Sequence, residues 1–166
     1  TWEGGPAALI PFNPPLKLII IGAVHIAQAL APLATQMGYG VTLIDPRQGF
    51  ARPERFKSIT IVDEWPDEAL GQLNMNSRTA IVTLTHDPKL DDPALDTALQ
   101  SDCFYIGSLG SKKTHAARLE RLTAKGFTED QLKRIHGPVG LNIGAKNPEE
   151  IALAIMAEIT AVLRTA

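Results

Sequence analysis

From Leu16 onward, short apolar runs rich in β-branched residues alternate with segments of helical period, and few folds accommodate that alternation. Leu18 to Ile21 is apolar at every position, as a strand covered on both faces must be. His25 to Met37 has helical period and closes near Gly38 and Gly40, with Pro32 expected to kink it. Further strands are expected at Val41 to Asp45, more weakly at Ser58 to Val62, at Thr79 to Thr85, and at Cys103 to Ile106. Helices are expected at Pro66 to Leu73, from an Asp92 N-cap and Pro93 to about Gln100, and at Ser111 to Ala124. Thr128 and Gln131 form a capping box, and Asn147-Pro148 opens a last helix whose Ile151, Ile155, Ile159 and Val162 share a face. Right-handed crossovers then require an α/β, Rossmann-like doubly wound parallel sheet of five or more strands in the order 3-2-1-4-5. Its crevice lies at the carboxyl ends of the first and fourth strands, where the winding reverses.

The chain has 166 residues, 45% hydrophobic, enough to bury a core without staples, and its one cysteine excludes a disulfide framework. Cys103 at the start of a strand is expected to be a buried small hydrophobe. The formal charge of -2 provides no global positive field for nucleic acid or acidic membranes, and no apolar run reaches the ~20 residues of a membrane span. A cytoplasmic location is expected from these features and from the sparse cysteine. Thr1 to Pro15, with Pro6, Pro11, Pro14 and Pro15, is expected to be a linker or docking arm before a domain spanning 16 to 166.

Gly22-Ala23-Val24-His25-Ile26-Ala27 follows the first strand and opens a helix, the context of the dinucleotide fingerprint G-x-G-x-x-G/A. Gly22 fits the tight turn and Ala27 the close helix packing. Val24 occupies the position where glycine normally lets a pyrophosphate approach, so either the turn is reshaped or the phosphate sits farther away. A plain strand-to-helix turn is the competing reading. Asp45 ends the second strand where a carboxylate commonly receives a ribose, and Arg47 beside it is suited to a 2′-phosphate or to stacking on adenine; alternatively Asp45-Pro46 simply terminates the strand.

A second glycine-rich junction, Gly107-Ser108-Leu109-Gly110-Ser111, follows the fifth strand, so two sets of backbone amides are expected to converge on one ligand. Lys112 and Lys113 fall in the first turn of the next helix, where cations are disfavoured by ~0.3 to 1 kcal/mol each, which points to an anionic partner or to two solvated lysines. Three of the four histidines, His25, His86, His115 and His136, are expected to reach the crevice. His86, Asp87 and His115 are weak candidates for acid-base chemistry, and their spacing lacks a metal-ligand pattern, so no metal site is expected. His136 to Gly144 contains three glycines and is apolar, so it either folds over the crevice or is a buried connection.

Taken in order, Ile21-Gly22-Ala23, Val41 to Pro46, Pro53 to Phe56, Thr85 to Asp91, Tyr105 to Ser111, Thr114-His115, Arg118-Leu119, His136 to Leu141 and Pro148 to Ala152 resemble the carboxy-terminal Rossmann domain of the XdhC/CoxF maturation factors, over about Leu16 to Leu163. The family usually has glycine where this chain has Val24, and its amino-terminal domain has no counterpart in these 166 residues. The resemblance implies binding and protection of the molybdopterin cofactor for a molybdenum hydroxylase apoenzyme, with sulfide supplied by a cysteine desulfurase. It leaves a homo-oligomer open. On this reading the amides around Gly22, Ala23, Val24 and His25, and around Gly107, Ser108, Gly110 and Ser111, hold phosphate. Lys112 or Lys113 adds charge, His86 and His115 orient the ligand, Thr85 is a further cofactor contact, and Asp45 meets a ribose if one is present. The alternative is an NAD(P)-binding oxidoreductase domain.

Overall fold

A computed structural model describes residues 13–165. The proposed arm lies outside the described residues except for its last three, of which Pro14 accepts a hydrogen bond from Arg78. The strands are β1 (Lys17–Ile21), β2 (Gly40–Ile44), β3 (Thr60–Val62), β4 (Thr79–Thr83), β5 (Tyr105–Ser108) and β6 (Ile135–His136), all parallel in the order β3-β2-β1-β4-β5-β6. The helices are α1 (His25–Gln36), α2 (Pro66–Gln72), α3 (Pro88–Leu99), α4 (Lys112–Ala124), α5 (Glu129–Leu132) and α6 (Pro148–Thr165).

Alternation along β1 explains why every residue of its core is aliphatic. Leu18 and Ile20 point into one hydrophobic cluster, with α1 and α6, whereas Ile19 and Ile21 point into the other, with α2, α3 and α4. All four are nearly inaccessible, and each contributes roughly 1.5 to 3 kcal/mol by leaving water. β1 is held from both sides, Ile19 pairing with Thr42 and Ile81. Its carboxyl end is therefore fixed, and so is the turn that follows it. Cys103 is buried, packed with Leu99 and Ile106.

Two local readings are corrected. The helix after β4 starts a turn earlier than expected: Asp87 is the N-cap, accepting from the Lys89 amide, with Pro88 in the first turn. Both Asp87-Pro88 and Asp92-Pro93 satisfy the start rule, but Asp92 is buried and Pro93 lies inside the helix. Beginning at Asp87 buries Leu90 and Asp91 beneath the carboxyl end of β4. The short β6 strand is the second difference. It is two residues long and contains a histidine, so it carried no apolar run, yet it pairs with Ile106 and Gly107. α1 runs through Pro32, and no helix among the described residues is long and apolar enough to cross a membrane.

Candidate functional site

The carboxyl edge of β1, β4 and β5 brings both glycine loops together. One strand separates β1 from β5, so the loops begin about 10 Å apart. Their helices diverge, however. α1 packs with α6 on one face of the sheet and α4 with α3 on the other, so the two helix ends flank the mouth from opposite faces.

Gly22 has φ +107°, and an added Cβ would lie 2.6 Å from Thr85 Cγ2, so this glycine is required both by its conformation and by the closeness of β4. Val24 is the N-cap of α1 in extended conformation, φ -90°, and therefore carries none of the strain expected of a left-handed valine. The turn is reshaped around Gly22. Valine has no side-chain oxygen and α1 has no capping hydrogen bond, so its leading amides remain available to an acceptor.

Asp45 is wholly buried, and its carboxylate is fully engaged. Oδ2 accepts from the Ala23 amide at 2.7 Å and from Arg47 Nη2 at 2.6 Å, while Oδ1 accepts from the Arg47 amide and Nε at 3.0 and 2.9 Å. Burial would raise its pKa, but the bonds from Arg47 and Ala23 outweigh that and hold the carboxyl below its ordinary range. Arg47 also stacks on the Phe50 ring, 4.2 Å from its centroid. A ribose at Asp45 would have to displace this fork, and the Ala23 amide is already spoken for.

At β4, Thr85 and His86 form the turn into α3. His86 is exposed with φ +61°, one of two non-glycine residues with positive φ among the described residues, a conformation that costs roughly 1 to 3 kcal/mol. Beneath the turn lies Asp91, buried, with Oδ1 accepting from the Thr85 hydroxyl at 2.6 Å and Oδ2 without a partner. Burial raises its pKa despite the bonds from Thr85.

The second junction begins later than the sequence suggests: Gly107 and Ser108 are the last residues of β5, paired with Val82 and Thr83, so the loop proper starts at Leu109 and is partly sealed from below. Ser108 is buried with its hydroxyl 2.5 Å from that of Thr83, and a Cβ on Gly107 would meet Val139 and the Tyr105 ring. Gly110, at φ +144°, and Ser111 lie at the rim, and Ser111 caps α4 through the Thr114 amide, leaving Lys112 and Lys113 exposed in the first turn. His115 packs against Gly137 with Nδ1 buried and unpartnered, and burial, then the nearby Arg118, lowers its pKa. Exposed His25 opens α1 on the opposite face. His86, Asp87 and His115 thus form no hydrogen-bonded acid-base set. No group of three or more His, Cys, Asp or Glu among the described residues could hold a metal.

The segment after β6 covers the β5 side of the mouth. The Val139 amide donates to the Ser108 carbonyl and the Leu141 amide to Ala154, while the Gly140 amide and the Tyr105 hydroxyl both donate to Glu158 Oε2, at 2.9 and 2.5 Å. His136 stacks on Tyr105, with centroids 4.7 Å apart. With Leu109, Gly110 and Lys112 the segment encloses a largely apolar cavity of about 500 Å³. The Tyr105–Glu158 anchor was missed in the sequence, since a buried tyrosine and a glutamate 53 residues later share no motif.

Residues 18–159 match the model of the XdhC Rossmann domain. The chain belongs to the XdhC family. It is 31% identical over 153 residues to the molybdenum cofactor insertion chaperone PaoD of Escherichia coli, covering 92% of this chain and 42% of PaoD. It is 32% identical over 148 residues to a probable xanthine dehydrogenase subunit from Bacillus subtilis, covering 89% of this chain and 43% of that one. The structure resembles a Bacillus halodurans protein described as a xanthine dehydrogenase, with TM-score 0.79 and 29% identity over 92% of this chain and 44% of that one. The chain thus spans less than half the length of the curated relatives it matches.

Within this XdhC domain the candidate residues divide by burial. Gly22, Ala23, Asp45, Gly107 and Ser108 are buried and shape the edge from beneath. Val24, His25, Arg47, Thr85, His86, Gly110, Ser111 and Lys112 are at least partly exposed and form the rim. Free α1 amides, two lysines without an acidic partner among the described residues, and an apolar wall fit an anionic organic ligand.

Proposed function

We propose that this domain receives the molybdenum cofactor at the carboxyl edge of its sheet, shields it, and passes it to a molybdenum hydroxylase apoenzyme of the xanthine or carbon monoxide dehydrogenase type. In the cytoplasm, a partner cysteine desulfurase would be the source of the sulfur for cofactor sulfuration while this chain holds the cofactor. The observation that carries the reading is the 31% identity to an insertion chaperone over 153 residues, 92% of the chain. Held ligand would meet the α1 amides, Lys112 and the apolar wall at Val139 and Leu141, groups that bind and exclude water.

Anaerobic equilibrium dialysis of the purified chain against released molybdenum cofactor tests this. Saturable, near-stoichiometric retention at micromolar concentration is expected, followed by transfer to a cofactor-free hydroxylase. Absence of retention overturns the reading. A parallel titration with NAD(H) and NADP(H) should give no saturable binding, because the Asp45 carboxylate is committed to Ala23 and Arg47.

A further inference from the structure

A cavity of about 300 Å³ lies between the start of α3 and the facing side of α4, beside the turn after β4. It is separate from the amide end of α1, which belongs to the opposite face of the sheet. Helical spacing puts Lys113 and Arg121 on one stripe through Ala117, with Thr114 and Arg118 on the adjoining one, so three cations of α4 face the same space.

Arg118 is the decisive residue. It is 2% exposed, and its Nη2 donates to the Leu109 carbonyl at 2.8 Å, yet Nε and Nη1 have no partner. Among the described residues no carboxylate forms an ion pair with it. A guanidinium keeps its charge in a protein, and leaving its donors unmatched in a buried position costs free energy that an oxyanion would return through charge-assisted bonds. The other groups agree. Arg121 is neutralised by a two-point bond to Asp92, at 2.6 and 3.0 Å, but Lys113 has no acidic partner among the described residues and stands exposed at the rim. Asp91 is the one carboxylate among the described residues that lines the space. Its Oδ1 accepts from the Thr85 hydroxyl, and burial raises its pKa while the Thr85 bonds and the Arg118 charge act the other way. The volume is roughly ten times the ~30 Å³ share of one water, enough for a phosphoryl group and the first atoms of its bearer.

We infer that this cavity is a subsite for a phosphate-class dianion, held by Arg118 from within and by Lys113 at the rim. It rests on the carrier reading only for the identity of the phosphate's bearer, since molybdopterin itself ends in a phosphate.

Isothermal titration of the chain with inorganic phosphate, against a chloride control at equal ionic strength, tests the inference. Saturable millimolar or tighter binding is expected, weakened about three- to tenfold in Lys113→Ala and about tenfold or more in Arg118→Lys. Circular dichroism checks that each variant folds. If Arg118→Lys does not, the exposed Lys113→Glu variant takes its place and should abolish the signal. No saturable heat with the parent chain, or unchanged affinity in the variants that fold, overturns the proposal. Phosphate displaced by molybdenum cofactor identifies the bearer as the cofactor tail, and phosphate bound additively with it identifies a separate phosphorylated ligand; both sustain the subsite. Retained phosphate binding without cofactor binding would overturn the carrier reading and leave the subsite standing.

Discussion

Asp45→Asn keeps the shape of the side chain and removes its charge, which makes it a direct probe of how the first glycine loop is held. The carboxylate accepts four bonds, from the amides of Ala23 and Arg47 and from two nitrogens of the Arg47 guanidinium. An asparagine has one acceptor oxygen, so its NH2 must face at least one of these donors. Removing one partner of a buried pair costs about 3 to 5 kcal/mol. Arg47 keeps part of its surface in water and can be resolvated, which reduces the expected loss to about 2 to 3 kcal/mol. In a domain of this size that corresponds to a fall in Tm of roughly 5 to 10 °C. Urea denaturation followed by circular dichroism measures it, and a loss below about 1 kcal/mol would refute the account of Asp45 as the pin of the loop. The pH dependence has a definite sign. Because the folded pKa lies below the ordinary 3.8, the contribution is fully present above that value and disappears as pH falls through the lower folded one. The parent should therefore lose stability more steeply than Asp45→Asn on acidification below about pH 4.

Gly22→Ala puts a methyl 2.6 Å from Thr85 Cγ2 at φ +107° and should cost about 1 to 3 kcal/mol by chemical denaturation. Val24→Ser supplies the missing cap on α1 and should raise stability by about 0.5 to 2 kcal/mol while weakening cofactor retention in dialysis, because the new hydroxyl competes for the same amides. An unchanged affinity would remove the α1 end from the site. His86→Gly relieves a left-handed histidine and should stabilise the fold by about 1 kcal/mol in urea titration, while cofactor retention falls.

Much of the fold was legible because β1 and β4 are buried on both faces and β2 largely so, which leaves apolar runs at their centres, Leu18 to Ile21, Leu43-Ile44 and Ala80 to Val82, that need no tertiary information to be seen. β6 was not, because a two-residue strand ending in His136 has no period and exists through its pairing with β5. The start of α3 was misplaced for a different reason. Asp87-Pro88 and Asp92-Pro93 are locally equivalent, and what separates them is whether Leu90 and Asp91 lie under the end of β4, a fact of packing.

The site divides along the same line. Glycines that need an unusual φ or a close neighbour, Gly22 and Gly110, were found because the requirement is written in the residue itself. Asp45 was found at the right place, but from spacing alone a carboxylate poised to receive a hydroxyl looks identical to one that holds its own loop. The structure distinguishes them by the guanidinium of Arg47, two residues on, folded back onto it. The role of Arg118 was not legible, although Arg118-Leu119 belongs to the family resemblance, because an arginine within a charged helix reads as surface. Its burial follows from α3 and α4 packing together over the end of β4, and the helical repeat from Thr114 to Arg121 would have marked the stripe only to a reader who already knew which face was covered. Sequence therefore exposes a position whose backbone demands a residue type, and conceals one whose side chain acquires its chemistry from what the fold lays across it. An unmatched guanidinium belongs to the second kind, which is why binding measurements on Lys113 and Arg118 bear on function more directly than any motif.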